Sequence, residues 1–320
     1  MGTKRKKILV TGGSGFIGGF IVKALAEESE TNEVIIFDIA KPDFPLYRNV
    51  RYMFGDIRDR HLLNVAFSGA DEVYDCAGLL GTSELISTSS LACETNITGA
   101  VNILDACLDQ GVKKIFHPTK PMFSHDYENT YTITKFCAEK FCQMYKEQFD
   151  QSIAILRWLN ATGPRQHLYP IRKAVPLMCV LAINDLSLEI YGDGEQTVDI
   201  IDVRDIAGIS IRACRELGHF DGIVEVGLGN KMSVNKLCEM VVHFVEKKTG
   251  NKCNSEIKHI PMRPGEKKNT DIIANLSNLK ELMPDFKFDY SVEECLEECV
   301  NYYSGLSKSE IRNVIQFYGI

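Results

Sequence analysis

The sequence predicts an α/β chain built on a doubly wound parallel sheet, and three observations carry that prediction. Short β-rich apolar runs alternate with longer helical stretches through the first half of the chain, the rhythm of successive βαβ units. These runs are continuously apolar instead of alternating, as strands covered by helices on both faces should be. A glycine-rich turn follows the first run and leads into a helical pattern. Residues 8–10 read as the first strand and 20–27 as the first helix; strands follow at 34–37, 51–54 and 73–76. A helix over 89–109 separates the fourth strand from a fifth at 114–117, and a long helix over 131–149 precedes a sixth strand at 153–156.

Beyond Trp158 the rhythm breaks, with Pro164, Pro170, Pro176, Pro261, Pro264 and Pro284 in the second half. That change of texture predicts a second, smaller unit. Residues 198–203, followed by a helix over 204–216, read as a return to the main sheet, so the two units are expected to interleave.

At 320 residues the chain is long enough for about two domains and a large core. Its 45% hydrophobic, 25% charged and 9% aromatic residues are ordinary globular values, far from the composition of disordered chains. Thirty-six Lys and Arg against 43 Asp and Glu give a formal charge of −7, which argues against a nucleic-acid partner. Eleven cysteines, an odd number with no Cys-x-x-Cys pair, suggest neither a disulfide framework nor a metal module; reduced thiols in a cytoplasmic setting fit better. The basic run at 4–7 precedes an apolar stretch too short for a signal peptide, and the longest apolar stretch, 174–183, is about half a bilayer span, so no membrane segment is expected.

The turn Thr11-Gly12-Gly13-Ser14-Gly15-Phe16-Ile17-Gly18 has the glycine spacing that lets backbone approach a pyrophosphate at a helix N-terminus. Asp38 lies twenty positions after Gly18, behind the second strand. A carboxylate there accepts bonds from an adenosine ribose and repels a 2′-phosphate, which favours NAD over NADP. The region is therefore expected to be Rossmann-like and to bind a dinucleotide, with a ligand-free glycine turn as the alternative. Ligands bind at the carboxyl ends of such strands, where Asp56, Ile57, Ala77 and Gly78 fall; Asp56 reads equally as an adenine contact or a helix cap.

Tyr131 and Lys135 are four apart on a predicted helix, so they share a face. An ammonium near a phenol is expected to lower its pKa and make Tyr131 a general base. Thr119, just before this helix, is placed to bond the same substrate hydroxyl. A surface pair and a capping threonine are the ordinary alternatives.

With these residues, the chain resembles the extended short-chain dehydrogenase/reductase superfamily, in its NAD-dependent nucleotide-sugar epimerase/dehydratase branch. The resemblance runs through Gly55-Asp56-Ile57-Arg58-Asp59, Asn96-Ile97-Thr98-Gly99-Ala100-Val101-Asn102, Thr119 with Tyr131 and Lys135, and Arg157-Trp158-Leu159-Asn160-Ala161-Thr162-Gly163-Pro164. It continues into Tyr191-Gly192-Asp193-Gly194, Asp202-Val203-Arg204-Asp205 and Arg263-Pro264-Gly265-Glu266. It implies that residues 1–158 and 197–228 form the NAD-binding domain, and 159–196 and 229–320 a smaller interleaved C-terminal substrate-binding domain. It also implies that Gly12, Gly15, Phe16, Ile17 and Trp158 contact NAD, that Lys135 binds the nicotinamide ribose, and that Tyr131 removes a sugar hydroxyl proton while hydride leaves C4. Asn160, Lys173, Val175, Leu177 and Arg263 fall where relatives hold a nucleotide diphosphate and its base, with Arg263 the best candidate for a bidentate grip; Arg204 reads either as a substitute for a missing phosphate contact or as a surface residue at a helix start. A homodimer through the helices 89–109 and 131–149 is implied in the same way.

Departures from the pattern bear on the reaction. Dehydratases of this family carry Asp-Glu after the catalytic threonine, and sugar-nucleotide decarboxylases also place a glutamate there, whereas this chain has Lys120-Pro121. A 4-epimerase, which needs no such acids, is thereby favoured. The usual Tyr-Gly is Phe123-Ser124, and the arginine often found near 198 is Val198. In Gly81-Thr82-Ser83-Glu84, Thr82 and Ser83 are expected to face the sugar, and Glu84 would be the acid of a dehydratase; a glutamate at a helix start is its bland reading. A non-catalytic NAD-binding regulator is the alternative from another class.

Overall fold

The computed structural model describes residues 5–120, 129–266 and 271–320 and divides the chain into two compact units. The first comprises 1–158, 204–226 and 275–286; the second 159–203, 227–274 and 287–320.

In the first unit, β1 (Lys7–Thr11), β2 (Glu33–Asp38), β3 (Val50–Phe54), β4 (Glu72–Asp75), β5 (Lys114–Thr119) and β6 (Ile153–Trp158) form a parallel sheet. Its order is β11-β6-β5-β4-β1-β2-β3, seven strands, where β11 is Val224–Val226. The order reverses between β1 and β4, the switch point at which open α/β sheets place their ligands. Ile8, Leu9, Val10, Val34, Ile36 and Phe37 are at most 1% exposed, which explains their unbroken apolar runs. α1 (Phe16–Glu28), α2 (Arg60–Phe67), α3 (Ser89–Cys93), α4 (Gly99–Gln110) and α5 (Thr130–Phe149) belong to this unit. Ile103, Leu104, Cys107 and Cys142 are buried together with Leu9, Val73 and Ile115 in one core.

Three local expectations need correction. α1 starts at Phe16, four residues before the expected start, because Gly18 and Gly19 are inside it. Glycine disfavours a helix interior in isolation, but here packing demands it: a Cβ on Gly18 would stand 2.2 Å from the Gly12 carbonyl oxygen. The single helix expected over 89–109 is interrupted by a π-helical turn, Glu94–Thr98, between α3 and α4. Residues 198–203 do not rejoin the main sheet. β9 (Thr197–Val198) pairs with β12 (Met232–Ser233) and β10 (Ile200–Asp202) with β7 (Asn160–Thr162), while β11 takes the expected place beside β6. The unit boundaries accordingly fall at 203/204 and 226/227, not at 196/197 and 228/229, and residues 275–286, carrying α9 (Ser277–Leu282), add to the first unit.

The reason 198–203 stays in the second unit is Asp199. Its buried carboxylate accepts bonds from the backbone N–H groups of Leu228 (2.9 Å), Gly229 (2.9 Å), Asn230 (3.4 Å) and Ala274 (3.1 Å). A Cβ on Gly227 would meet this carboxylate at 2.5 Å. Asp199→Ala is expected to destabilise the protein by about 2 kcal/mol or more, since several amides lose their acceptor at once; urea unfolding measures this. The rest of the second unit packs α6 (Ala174–Ile183), α8 (Val234–Thr249) and α10 (Val292–Tyr303) around Val180, Leu181, Leu237, Val241, Leu296 and Val300. β8 (Leu188–Tyr191) pairs in parallel with β13 (Ile257–Ile260). α10 and α11 (Lys308–Tyr318) both start in capping boxes, Ser291 with Glu294 and Ser307 with Glu310.

Candidate active site

The dinucleotide turn follows β1 directly. Gly12 has φ +65°, and a Cβ there would stand 2.7 Å from the Ala77 backbone, so only glycine fits. Gly15 caps α1 with no side-chain hydrogen bond, so no cap side chain would compete with an anion for the first helical amides. Phe16 and Ile17 form the half-exposed first turn of α1. Asp38 ends β2; its Oδ2 accepts from Ser14 N–H (3.0 Å) and its Oδ1 from Ala40 N–H (3.0 Å), which brings the acid to the turn. These features fit a dinucleotide. Gly12→Ala is expected to abolish NAD binding, measured by cofactor fluorescence or calorimetry, and to lower the melting temperature as well, since the added Cβ meets backbone at 2.7 Å.

Asp56 does not cap a helix: Asp59 caps α2, accepting from Leu62 N–H at 3.0 Å. Asp56 instead pairs with Arg58 at 2.6 Å, and that hydrogen-bonded guanidinium holds its carboxyl below the ordinary range. Ile57 is buried, with its side chain against Gly99. Ala77 N–H donates to Thr11 Oγ1 (3.3 Å), and Gly78 lies beside Asn96.

The π-helical turn presents Asn96, a residue whose role the sequence did not disclose although its motif was visible. Asn96 Oδ1 accepts from Leu79 N–H (2.7 Å), and Nδ2 donates to Leu79 O (2.8 Å) and Thr134 Oγ1 (3.0 Å). The loop after β4 is thus fastened to α5, whose Thr134 hydroxyl donates to Tyr131 O (3.0 Å). Thr119 ends β5, is 4% exposed, and donates to Lys135 O (3.4 Å). Asn129 caps α5 by accepting from Thr132 N–H (2.9 Å). Thr119, Tyr131 and Lys135 are therefore held by one helix start and one strand end.

Tyr131 and Lys135 keep part of their surfaces accessible but are densely surrounded by protein. Burial pushes the Tyr131 phenol up to about 12, opposite in direction to the lowering expected from an ammonium four residues away. Burial lowers Lys135, and the strongest opposing influence is Asp75. Trp158 stacks on Phe116 with ring centroids 5.5 Å apart, and its indole N–H is buried without a partner.

Thr82, Ser83 and Glu84 are half-buried in the loop after β4, and Ser83 Oγ donates to Glu84 Oε2 (3.3 Å). The short helical turn Ile86–Thr88 that follows has Leu85 at its cap with no side-chain bond, so neither Thr82 nor Ser83 caps it. Lys120 Nζ donates to Thr132 Oγ1 at 2.9 Å. Phe123-Ser124 and Pro121 lie outside the described residues.

In the second unit, Asn160 carries a buried Nδ2 with no hydrogen-bond partner. Lys173 stands at the cap of α6, whose Val175 and Leu177 are each 3% exposed and serve the core through their side chains. Arg263 pairs with Glu266 (2.6 Å) and lies over the Tyr191 ring at 5.7 Å. Arg172 lies over the same ring at 5.0 Å and bonds Glu189 (2.9 Å). Tyr191 and Arg172 were not singled out from the sequence, although the Tyr-Gly-Asp-Gly run marked the place. Arg204 falls in the first unit, in α7 (Val203–Glu216).

A parallel sheet with a glycine turn and acid at its switch point, and a tyrosine and lysine one turn apart beside it, defines a dinucleotide-dependent enzyme of the α/β class. The chain belongs to the NAD dependent epimerase/dehydratase family, whose model matches residues 8–227, and NAD is its cofactor. It is 28% identical to a low-salt glycan biosynthesis protein of Haloferax volcanii over 93% of this chain and 98% of that one. It is also 28% identical to the UDP-glucose 4-epimerase of Halalkalibacterium halodurans, covering 81% and 84% of the two chains. Among solved structures, the UDP-N-acetylglucosamine 4-epimerase of Methanobrevibacter ruminantium M1, in complex with UDP-N-acetylmuramic acid, matches with a TM-score of 0.82 and 27% identity, covering 94% and 99%. Among the described residues no helix is long and apolar enough to cross a membrane.

Proposed function

We propose that the protein is an NAD-dependent nucleotide-sugar 4-epimerase. The observation that carries this reading is Lys120: directly after Thr119, where an acid pair would begin, stands a cation bonded to Thr132, followed by Pro121. Thr119, Tyr131 and Lys135 supply what oxidation at C4 needs, and no more is required for epimerisation. Thr119 orients the 4-hydroxyl, and Tyr131 Oη takes its proton as the C4–H bond breaks. The NAD held by the glycine turn would supply the hydride acceptor and donor that oxidation and re-reduction at C4 require. Tyr131 then gives its proton back to the C4 oxygen, so atoms and charge balance. With its phenol raised to about 12 by burial, Tyr131 needs nearby positive charge to act as a base, which the Lys135 ammonium one helical turn away would supply, aided by the cofactor's positive charge when NAD is bound. Gly12, Gly15, Asp38 and the loop at Ala77 and Gly78 hold the cofactor; Asn160, Lys173 and Arg263 hold the nucleotide diphosphate. The orphan Nδ2 of Asn160 is a donor that such a ligand satisfies.

A dehydratase working through Glu84 is the second reading, favoured by the half-buried position of that carboxylate next to Ser83. Mass spectrometry with proton NMR on UDP-, dTDP-, GDP- and CDP-sugars separates the two. Unchanged mass with inversion at C4 supports the epimerase, and loss of water overturns it. Exposed Leu91, Leu108, Ile133, Met144 and Phe149 on α3 to α5 support a homodimer; light scattering on a sizing column is expected to give twice the chain mass.

A further inference from the structure

The second unit surrounds Arg263 with groups to which the reaction above gives no part, and they start on one face of β8. Along Leu188-Glu189-Ile190-Tyr191 the side chains alternate: Leu188 and Ile190 are buried, while Glu189 and Tyr191 share the opposite face. Arg172, two residues before α6, grips both. Its Nη2 donates to Glu189 Oε2 at 2.9 Å and its Nη1 to Tyr191 Oη at 3.3 Å, with Cζ 5.0 Å from the Tyr191 ring centroid.

The same ring meets a second guanidinium. Arg263 follows β13, whose Ile260 pairs with Tyr191, and its Cζ stands 5.7 Å from the Tyr191 centroid. Its Nε donates to Glu266 Oε2 at 2.6 Å, and among the described residues its two terminal nitrogens make no hydrogen bond. The side chain is 21% exposed, so a ligand can reach them. Each guanidinium has its own carboxylate, which offsets their mutual repulsion, and both lie within the distance at which an aromatic ring attracts a cation.

Arg172 is backed in turn by the C-terminal helix, its Cζ 5.7 Å from the Tyr318 ring centroid. Tyr318 ends α11 and is fixed there: its Oη donates to Leu168 O at 2.6 Å, and the adjacent Phe317 stacks on Tyr169 with centroids 5.3 Å apart. Val314, one turn earlier, is fully buried. Tyr318, Arg172, Tyr191 and Arg263 thus form one row of contacts inside the second unit. A loose arginine loses rotamer freedom when a ligand orders it, which weakens binding. An arginine already held by a carboxylate and an aromatic ring has lost that freedom on folding, with two nitrogens left for a bidentate grip.

We propose that Arg172 and Tyr318 are positioning residues for Arg263, acting through the Tyr191 ring, so that the C-terminal helix sets how tightly the nucleotide diphosphate is held. The inference rests on the reading of Arg263 as a diphosphate ligand and is independent of what happens at C4.

The experiment is calorimetry on the full-length protein with UDP, dTDP, GDP and CDP, the tightest of the four serving as probe. Arg172→Met and Tyr318→Leu are each expected to weaken its binding about fivefold or more, the cost of ordering one long side chain at binding, with NAD binding unchanged. In an Arg263→Ala background, itself weaker than the wild type, neither is expected to weaken it further, because the residue they position is gone. Tyr318→Phe keeps the ring and is expected to bind like the wild type. Unchanged affinity in folded single variants overturns the proposal. So do losses that multiply with that of Arg263→Ala, since Arg172 and Tyr318 then act without Arg263. If Arg263→Ala binds as the wild type does, or if none of the four nucleotides binds, the reading of Arg263 fails and this one falls with it. Should Tyr318→Leu fail to fold, the cycle of Arg172→Met with Arg263→Ala decides.

Discussion

Tyr131→Phe is expected to lower turnover of the true nucleotide sugar by about 10³-fold, the usual worth of a positioned acid/base group, while NAD binding and melting temperature stay near the wild type. The substitution removes one oxygen from a side chain whose neighbours hold the backbone, not the phenol: Thr134 Oγ1 bonds Tyr131 O, and Asn129 caps the helix start. The fold around it therefore has no reason to change. The same result separates the enzyme readings from a regulator that merely binds NAD, because a regulator would be indifferent to the phenol. It also tests the account of Tyr131 as a base. A phenol raised to about 12 by burial is protonated at neutral pH; proton removal then depends on positive charge at the site. Activity should rise with pH along a limb that Lys135→Met moves upward, since loss of the ammonium makes the phenolate harder to form. A pH–rate profile of that variant, compared at saturating NAD, measures the displacement.

What the sequence disclosed and what it withheld divide along the range of the interactions. The apolar runs of β1, β2, β4, β5 and β6 and the glycine turn are local patterns, and they place the parallel sheet and the turn correctly. The π-helical turn at Glu94–Thr98 is invisible in that way, because helical periodicity runs through it and only the bonds from Asn96 to Leu79 and Thr134 explain the break. Asp75 read as part of an apolar strand, and its partner His117 is 42 positions away on β5, a pairing that no spacing rule reaches. The three-residue β11 carries too little pattern to be read, whereas 198–203 carries a strand-like pattern that Asp199 holds elsewhere. The rise in the Tyr131 pKa has the same origin: the helical spacing to Lys135 was legible, and the burial of the phenol was not.

Arg157→Met is expected to destabilise the protein by about 3 kcal/mol or more, the cost of leaving a buried carboxylate without its cation. Glu139 is fully buried on α5, and the Arg157 guanidinium from β6 grips it through Nε and Nη2 at 3.0 and 2.8 Å. The nearest other acid to Arg157 is Glu225 on β11 at 3.7 Å, which is partly exposed and can turn to water. Glu139 has no such escape, so removing the arginine strands a charge in the core or forces it to take up a proton. Replacing both residues, Glu139→Leu with Arg157→Met, should recover most of the loss, because a pair of apolar side chains of similar volume needs no desolvation of ions. Urea unfolding of the two single variants and the double variant gives the coupling directly. If the double variant is as unstable as the sum of the singles, the pair contributes through packing and not through charge. Since α5 carries both Glu139 and the Tyr131–Lys135 pair, loosening this anchor is also expected to raise KM and lower kcat together, unlike Tyr131→Phe, which acts on kcat alone.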